Sequence, residues 1–204
     1  MAKRVNMTLA VRRLIRDVAE RLPELAHVRA SRVLVVAGAA RGASRASIRG
    51  AALGGPPARR RFLRVRGRRV LYVVTLRPLW FATSTPEERV STILHELYHV
   101  STRFDGSLHR DRRHAQLPRA AYDERIRALL RRYLAAAPAE VIAPFGHEGI
   151  VKVRMWLRMP RAEERRGSRS LDVDDHLFDG YMPLRAPAPP PRARARVIGR
   201  TRAT

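Results

Sequence analysis

The 204-residue chain contains no cysteine. This excludes disulfides, cysteine-ligated zinc and thiol catalysis, so any metal would have to be held by imidazole and carboxylate groups. There is no stretch of apolar residues long enough to cross a bilayer as a helix. The opening "MAKRVNMTLAVRRLIRDVAERL" carries charge every few positions, where a signal peptide needs an apolar run. The expectation is a soluble cytoplasmic protein with no membrane partner. Lysine is nearly missing too: of 42 basic residues only Lys3 and Lys152 are not arginine. Aromatic residues make up 6% of the chain, so few stacking platforms stand between the arginines.

The surplus of base over acid is large, with a formal net charge of +24. Two readings stand side by side. One is attraction to nucleic acid, through an arginine-rich surface and tail that neutralise phosphates. The other is coding bias, because arginine, alanine and proline are enriched together as a GC-rich genome would enrich them.

Apolar spacing predicts an amphipathic helix over residues 8–22, with Leu9, Val11, Leu14, Ile15, Val18 and Leu22 inward and Pro23 closing it. "SRVLVVAGAA" reads as a buried strand, and "RGASRASIRGAALGGPPARRR" as a loop. "FLRVRGRRVLYVVTLRPLW" reads as a hairpin or two strands broken near Gly67, with Val70, Tyr72, Val74 and Leu76 alternating. In "TSTPEERVSTILHELYHVSTRF", Thr85, Pro86 and Glu88 form a helix start with a capping box, and Val90, Ile93, Leu94 and Leu97 form the apolar stripe. A second helix spans residues 119–136, packing through Tyr122, Ile126, Leu129, Leu130 and Tyr133. "GIVKVRMWLRM" is expected to be the last ordered strand. The domain is therefore placed at residues 1–160, and residues 161–204, rich in arginine and proline, are expected to form a disordered basic tail. Within that tail, "LDVDDHLFDGYMPL" is read as a solvated linker, with a docking motif as the alternative.

The chemistry lies in "HELYH". On a helix, side chains four apart project side by side, so His95 and His99 can bind one tetrahedral zinc. Glu96, about 100° further round, would sit beside the metal without occupying it, as a general base for a zinc-activated water should. The competing reading is two histidines on a solvated helical face. A catalytic zinc needs a third protein ligand. His109, His114, Asp105, Asp111, Asp123, Glu124 and the His147–Glu148 pair are all candidates, and Gly106 lets the chain turn back so that either His109 or His114 can reach the metal. Arg113, Tyr122 and Tyr133 are near enough in sequence to serve an oxyanion, but are read as core or surface residues.

The stretch "ILHELYHVSTRFDGSLHRDRRHAQLPRAAYDERI" resembles the core of phage-type and other prokaryotic zincin-like metallopeptidases, which have a distant likeness to SprT-like proteases. The resemblance covers about residues 70–135. It implies that the third ligand is the histidine eight residues after the Asp-Gly turn, His114, with His109 standing where such sequences often carry arginine. The glycine spacing of metzincins is missing, since Val100, Ser101 and Thr102 follow His99. The expectation is an α+β, minimal zincin-like domain with a small sheet against the active-site helix. Zn2+ would be held by His95, His99 and His114, with Glu96 as base and a protein or peptide as substrate. A nucleic-acid-associated protein with a structural or vestigial metal site, or a DNA-dependent protease, is the alternative.

Overall fold

The structure, a computed structural model, describes residues 4–39, 44–52, 62–112, 118–160 and 170–185. It is a mixed α+β fold in three layers. The middle layer is a five-stranded sheet in the order β2-β5-β1-β6-β8, made from Ala46–Gly50 (β2), Tyr72–Leu76 (β5), Val33–Ala37 (β1), Gly149–Trp156 (β6) and Leu177–Leu184 (β8). The three inner strands are parallel, and each edge strand, β2 on β5 and β8 on β6, is antiparallel to its neighbour. A sheet covered on both faces needs continuous apolar strands. β1, "VLVVA", accordingly buries all five residues. Val33, Val35 and Ala37 enter the main core, while Leu34 and Val36 face a second, smaller one.

The main core is closed by three helices, Met7–Arg21 (α1), Pro86–Tyr98 (α3) and Arg119–Ala136 (α4). The second core lies under a three-stranded sheet of Phe62–Val65 (β3), Arg68–Arg69 (β4) and Ser170–Asp172 (β7). Two short helices, Pro78–Phe81 (α2) and Ala139–Ile142 (α5), complete the set. The capping box of α3 forms as its sequence demands: Glu88 N–H donates to Thr85 Oγ1 at 3.1 Å, and Thr85 N–H to Glu88 at 2.8 Å. Arg89, one turn on, is only 2% exposed. It donates to the carbonyls of Phe81, Ala82, Phe145 and Arg185 at 2.6–3.2 Å. One guanidinium thus ties α3 to three separate segments.

Several expectations are corrected. Residues 170–185 are not a disordered tail or a solvated linker. β7 pairs with β3, and β8 lies along the whole length of β6. The strand "GIVKVRMWLRM" is therefore not the last ordered element. Met182 and Leu184 are buried in the main core, and their apolar signal is diluted by Asp179 and Gly180 before them and Pro183 between them. The rest of the expected tail, residues 161–169 and 186–204, lies outside the described residues. Part of the arginine-rich loop is strand β2, whose alternation is muted by small side chains. The hairpin at Arg66–Gly67, both with positive φ, joins β3 to β4 alone. Val70 packs in the second core and Tyr72, Val74 and Leu76 in the main one. Leu9 is 50% exposed rather than inward.

Candidate metal centre

The apolar stripe of α3 (Val90, Ile93, Leu94 and Leu97) is fully buried, which fixes the rotation of the helix and turns the next positions towards α4 and β2. His95 lies on the last turn, and His99 is the C-cap, still in helical conformation at φ −74°, ψ −13°. Their ring centroids are 5.0 Å apart, close enough for both to serve one metal ion. His99 Nδ1–H donates to the Arg112 carbonyl at 2.7 Å. A carbonyl only accepts, so this bond fixes the tautomer and leaves Nε2 as the lone-pair nitrogen, the arrangement in which a second-shell acceptor orients a metal-binding imidazole.

Tyr122 of α4 packs against both rings. Its centroid is 5.0 Å from that of His95 and 5.6 Å from that of His99, and its hydroxyl is 3.3 Å from His99 Nε2. Burial pushes its pKa upward, so the phenol stays protonated and donates to that nitrogen. From its sequence position Tyr122 reads as a packing residue of α4. It is core, and it also touches the centre; its place on the apolar face of α4 gave no sign of the second role. Tyr98, by contrast, packs inward, with its hydroxyl accepting from Arg125 and its ring under Arg112.

Glu96 is 8% exposed. Its carboxylate accepts from the Ile48 N–H of β2, and desolvation raises its pKa to about 7, with that bond and the Arg77 charge opposing the rise. Because β2 pairs with β5 through Arg45 and Ala51, the alternate residues Ala46 and Ile48 direct their main-chain groups away from the sheet. A cleft of about 630 Å³ opens here, bordered by Arg45 and Ala46 beside β2, by His95 and Glu96 on α3, and by Asp123 and Arg127 on α4.

The chain does turn back after α3, as Gly106 suggested. Gly106 has φ +90°. Its N–H donates to the Tyr72 hydroxyl at 3.1 Å, which in turn donates to the Ser107 carbonyl at 2.8 Å. A Cβ at Gly50 would overlap the Gly106 carbonyl oxygen, so the two glycines let the loop lie directly on β2. Val100 then bridges Leu108, and His109 N–H donates to the His99 carbonyl at 2.8 Å.

This return does not bring His109 to the pair. The described residues contain no group of three histidine, aspartate or glutamate side chains able to hold a metal ion. His109 instead lies near His27, whose pKa is lowered chiefly by burial and further by Arg112 and His109. Asp105 accepts from Ser107, and Glu124 pairs with Arg127 and Arg131 in solvent. Neither His147 nor Glu148 borders the cleft. Of the sequence candidates, Asp123 alone joins His95 and Glu96 there, and His114 lies outside the described residues. Two adjacent imidazoles, that of His99 with its tautomer fixed, and a buried carboxylate fit a metal that carries an activated water, and a third ligand is still required.

Among family models, one described as "Putative phage metallopeptidase" matches residues 4–135. That span runs from just before α1 almost to the end of α4 and takes in β2, α3 and the turn at Gly106. No curated protein and no solved structure matches the chain.

Proposed function

This chain belongs to that phage metallopeptidase family, and from this premise we propose that it is a zinc-dependent peptidase of minimal zincin-like form. His95 and His99 hold the ion together with His114, and Glu96 is the general base. When bound, zinc would supply a Lewis acid that acidifies a water molecule and polarises the scissile carbonyl. The observation that carries the reading is the position of Glu96: buried, beside two paired imidazoles, with one oxygen on a strand-edge N–H and a pKa of about 7.

A carboxylate with that pKa is matched to taking a proton at neutral pH and returning it. Glu96 accepts a proton from the attacking water and delivers it to the leaving amide nitrogen, so the amine departs neutral. The outward groups of β2 at Ala46 offer an extended peptide a strand to pair with, and the cleft beside Arg45 and Asp123 receives its side chains. Tyr122 packs against both rings, and its hydroxyl would give up His99 Nε2 to the ion when zinc is bound.

The test joins metal content to turnover. Purified protein should carry stoichiometric zinc, lost in His95→Ala, His99→Ala and His114→Ala and retained in His109→Ala. Glu96→Gln should keep zinc while peptide hydrolysis falls by roughly 10²–10⁴-fold. Full hydrolysis by Glu96→Gln, or zinc lost on changing His109 and kept on changing His114, would sink the assignment.

A further inference from the structure

A second concave region lies away from the metal centre and shares no lining residue with it. Residues 5–8 wedge between β1 and β6, which pair with each other only at Ala37 and Met155. Lys152 N–H donates to the Val5 carbonyl at 2.9 Å, and Arg154 N–H to Thr8 Oγ1 at 2.8 Å. Beside this wedge, under the β3–β4 hairpin, is a cavity of about 550 Å³ bordered by Arg12, Arg66, Arg68 and Arg154. A neighbouring cavity of about 390 Å³ adds Arg16 and Arg29, and the two meet at Arg12, Ser31 and Arg68. They form one furrow with six arginines and two acids, Glu20 and Asp179.

These arginines differ from five others on the surface. Arg21, Arg45, Arg127, Arg131 and Arg132 each meet a carboxylate at 2.6–3.1 Å. In the furrow, Arg154 reaches Asp179 only at 3.9 Å, while that acid is engaged by Lys152 at 2.9 Å. Arg12 has its Nε buried without a hydrogen-bond partner. Its pKa is lowered first by burial and then by the charges of Arg154, Arg16, Arg68 and Arg66. Coding bias explains many arginines, but not the convergence of six on one furrow with two acids, where the charges of four others act on Arg12.

We infer that this furrow binds the phosphate backbone of a nucleic-acid duplex, independently of the metal centre. Several guanidinium forks bordering two adjoining cavities suit a ligand that repeats its charge at short intervals and offers paired oxygens at each repeat. Thr8, Asn6 and Ser31 supply the uncharged groups that accompany such contacts. No aromatic side chain lines either cavity, so there is no platform on which unpaired bases could stack, as single-strand binders require. The backbone is held and the sequence is not read.

The test uses the full chain and a fluorescent DNA duplex of arbitrary sequence, titrated over a salt series in the presence of a metal chelator, so that the peptidase reading plays no part in the outcome. Arg12→Ala with Arg68→Ala should weaken binding more than tenfold and reduce the salt slope by about 2. The charge-matched pair Arg103→Ala with Arg131→Ala, on exposed positions outside the furrow, should leave the slope nearly unchanged. Arg12→Lys with Arg68→Lys, which keeps both charges, should restore most of the affinity and guards against a folding defect in the alanine pair. Equal losses in the furrow and control pairs would overturn the proposal, leaving net charge alone as the cause. Displacement of the duplex by polyglutamate at equal charge would assign the furrow to acidic peptides, and tighter binding of a single strand of the same length would refute the backbone-only mode.

Discussion

Two turns of helix α3 bury opposite charges in different ways. Arg89, in the first half, sits where four carbonyls consume its donors. Glu96, in the second half, has one main-chain donor and a cleft in front of it. Desolvation lowers the pKa of the first and raises that of the second, disfavouring the charged form in both. The difference is in what replaces lost water. Arg89 has four hydrogen bonds for its five N–H groups and so serves to assemble the chain. Glu96 is left short of donors, and so carries a proton near neutrality.

The largest effect should follow from breaking the first turn. Arg89→Ala leaves four carbonyls without their cation and should cost about 3 kcal/mol or more, measured by chemical denaturation. A milder loss together with abolished peptidase activity would mean that Arg89 serves the site rather than the fold.

The second turn gives a pH dependence of similar size. The native pKa of Glu96, about 7, lies above the unfolded carboxyl value. Between the two the native state holds the extra proton, so the stability of the metal-free protein should be highest below the unfolded value. It should fall as pH rises through about 7, by about 3 kcal/mol in all. Glu96→Gln should remove that slope and be the more stable protein at pH 8. An unchanged slope would show that the carboxylate is better solvated than its burial indicates.

Smaller changes sharpen the contrast. Thr85→Ala removes the cap that starts α3 and should cost about 1 kcal/mol, with no change in the pH profile. Tyr122→Phe deletes the hydroxyl that meets His99 Nε2 and should change stability by about 1 kcal/mol or less. Its effect should show in zinc affinity, read by competition with a chelator. An effect confined to melting temperature would reduce Tyr122 to a packing residue.

The parts of this molecule that were legible in its sequence are local ones. The capping box, the apolar stripe of α3 and the pairing of His95 with His99 all follow from helical geometry within four residues. The turn at Gly106 was legible because a positive φ favours glycine. Strand β2 was not, since Ala46, Ser47 and Gly50 carry too little side chain to show alternation. Strand β8 was hidden by Asp179, Gly180 and Pro183, which an edge strand with one open face tolerates.

What the sequence determined alone was therefore the order of the donors along one helix and the residues that start and orient it, because hydrogen bonds and side-chain phase in a helix are set by near neighbours. The tertiary structure decided the rest. It brought Ile48 of a distant edge strand to Glu96 and Tyr122 to both imidazoles, and it sent His109 towards His27. It also gathered Arg12, Arg66, Arg68 and Arg154 from α1, from the hairpin and from β6 into one furrow. None of those separations is encoded by local spacing; they depend on how two apolar cores close around the five-stranded sheet.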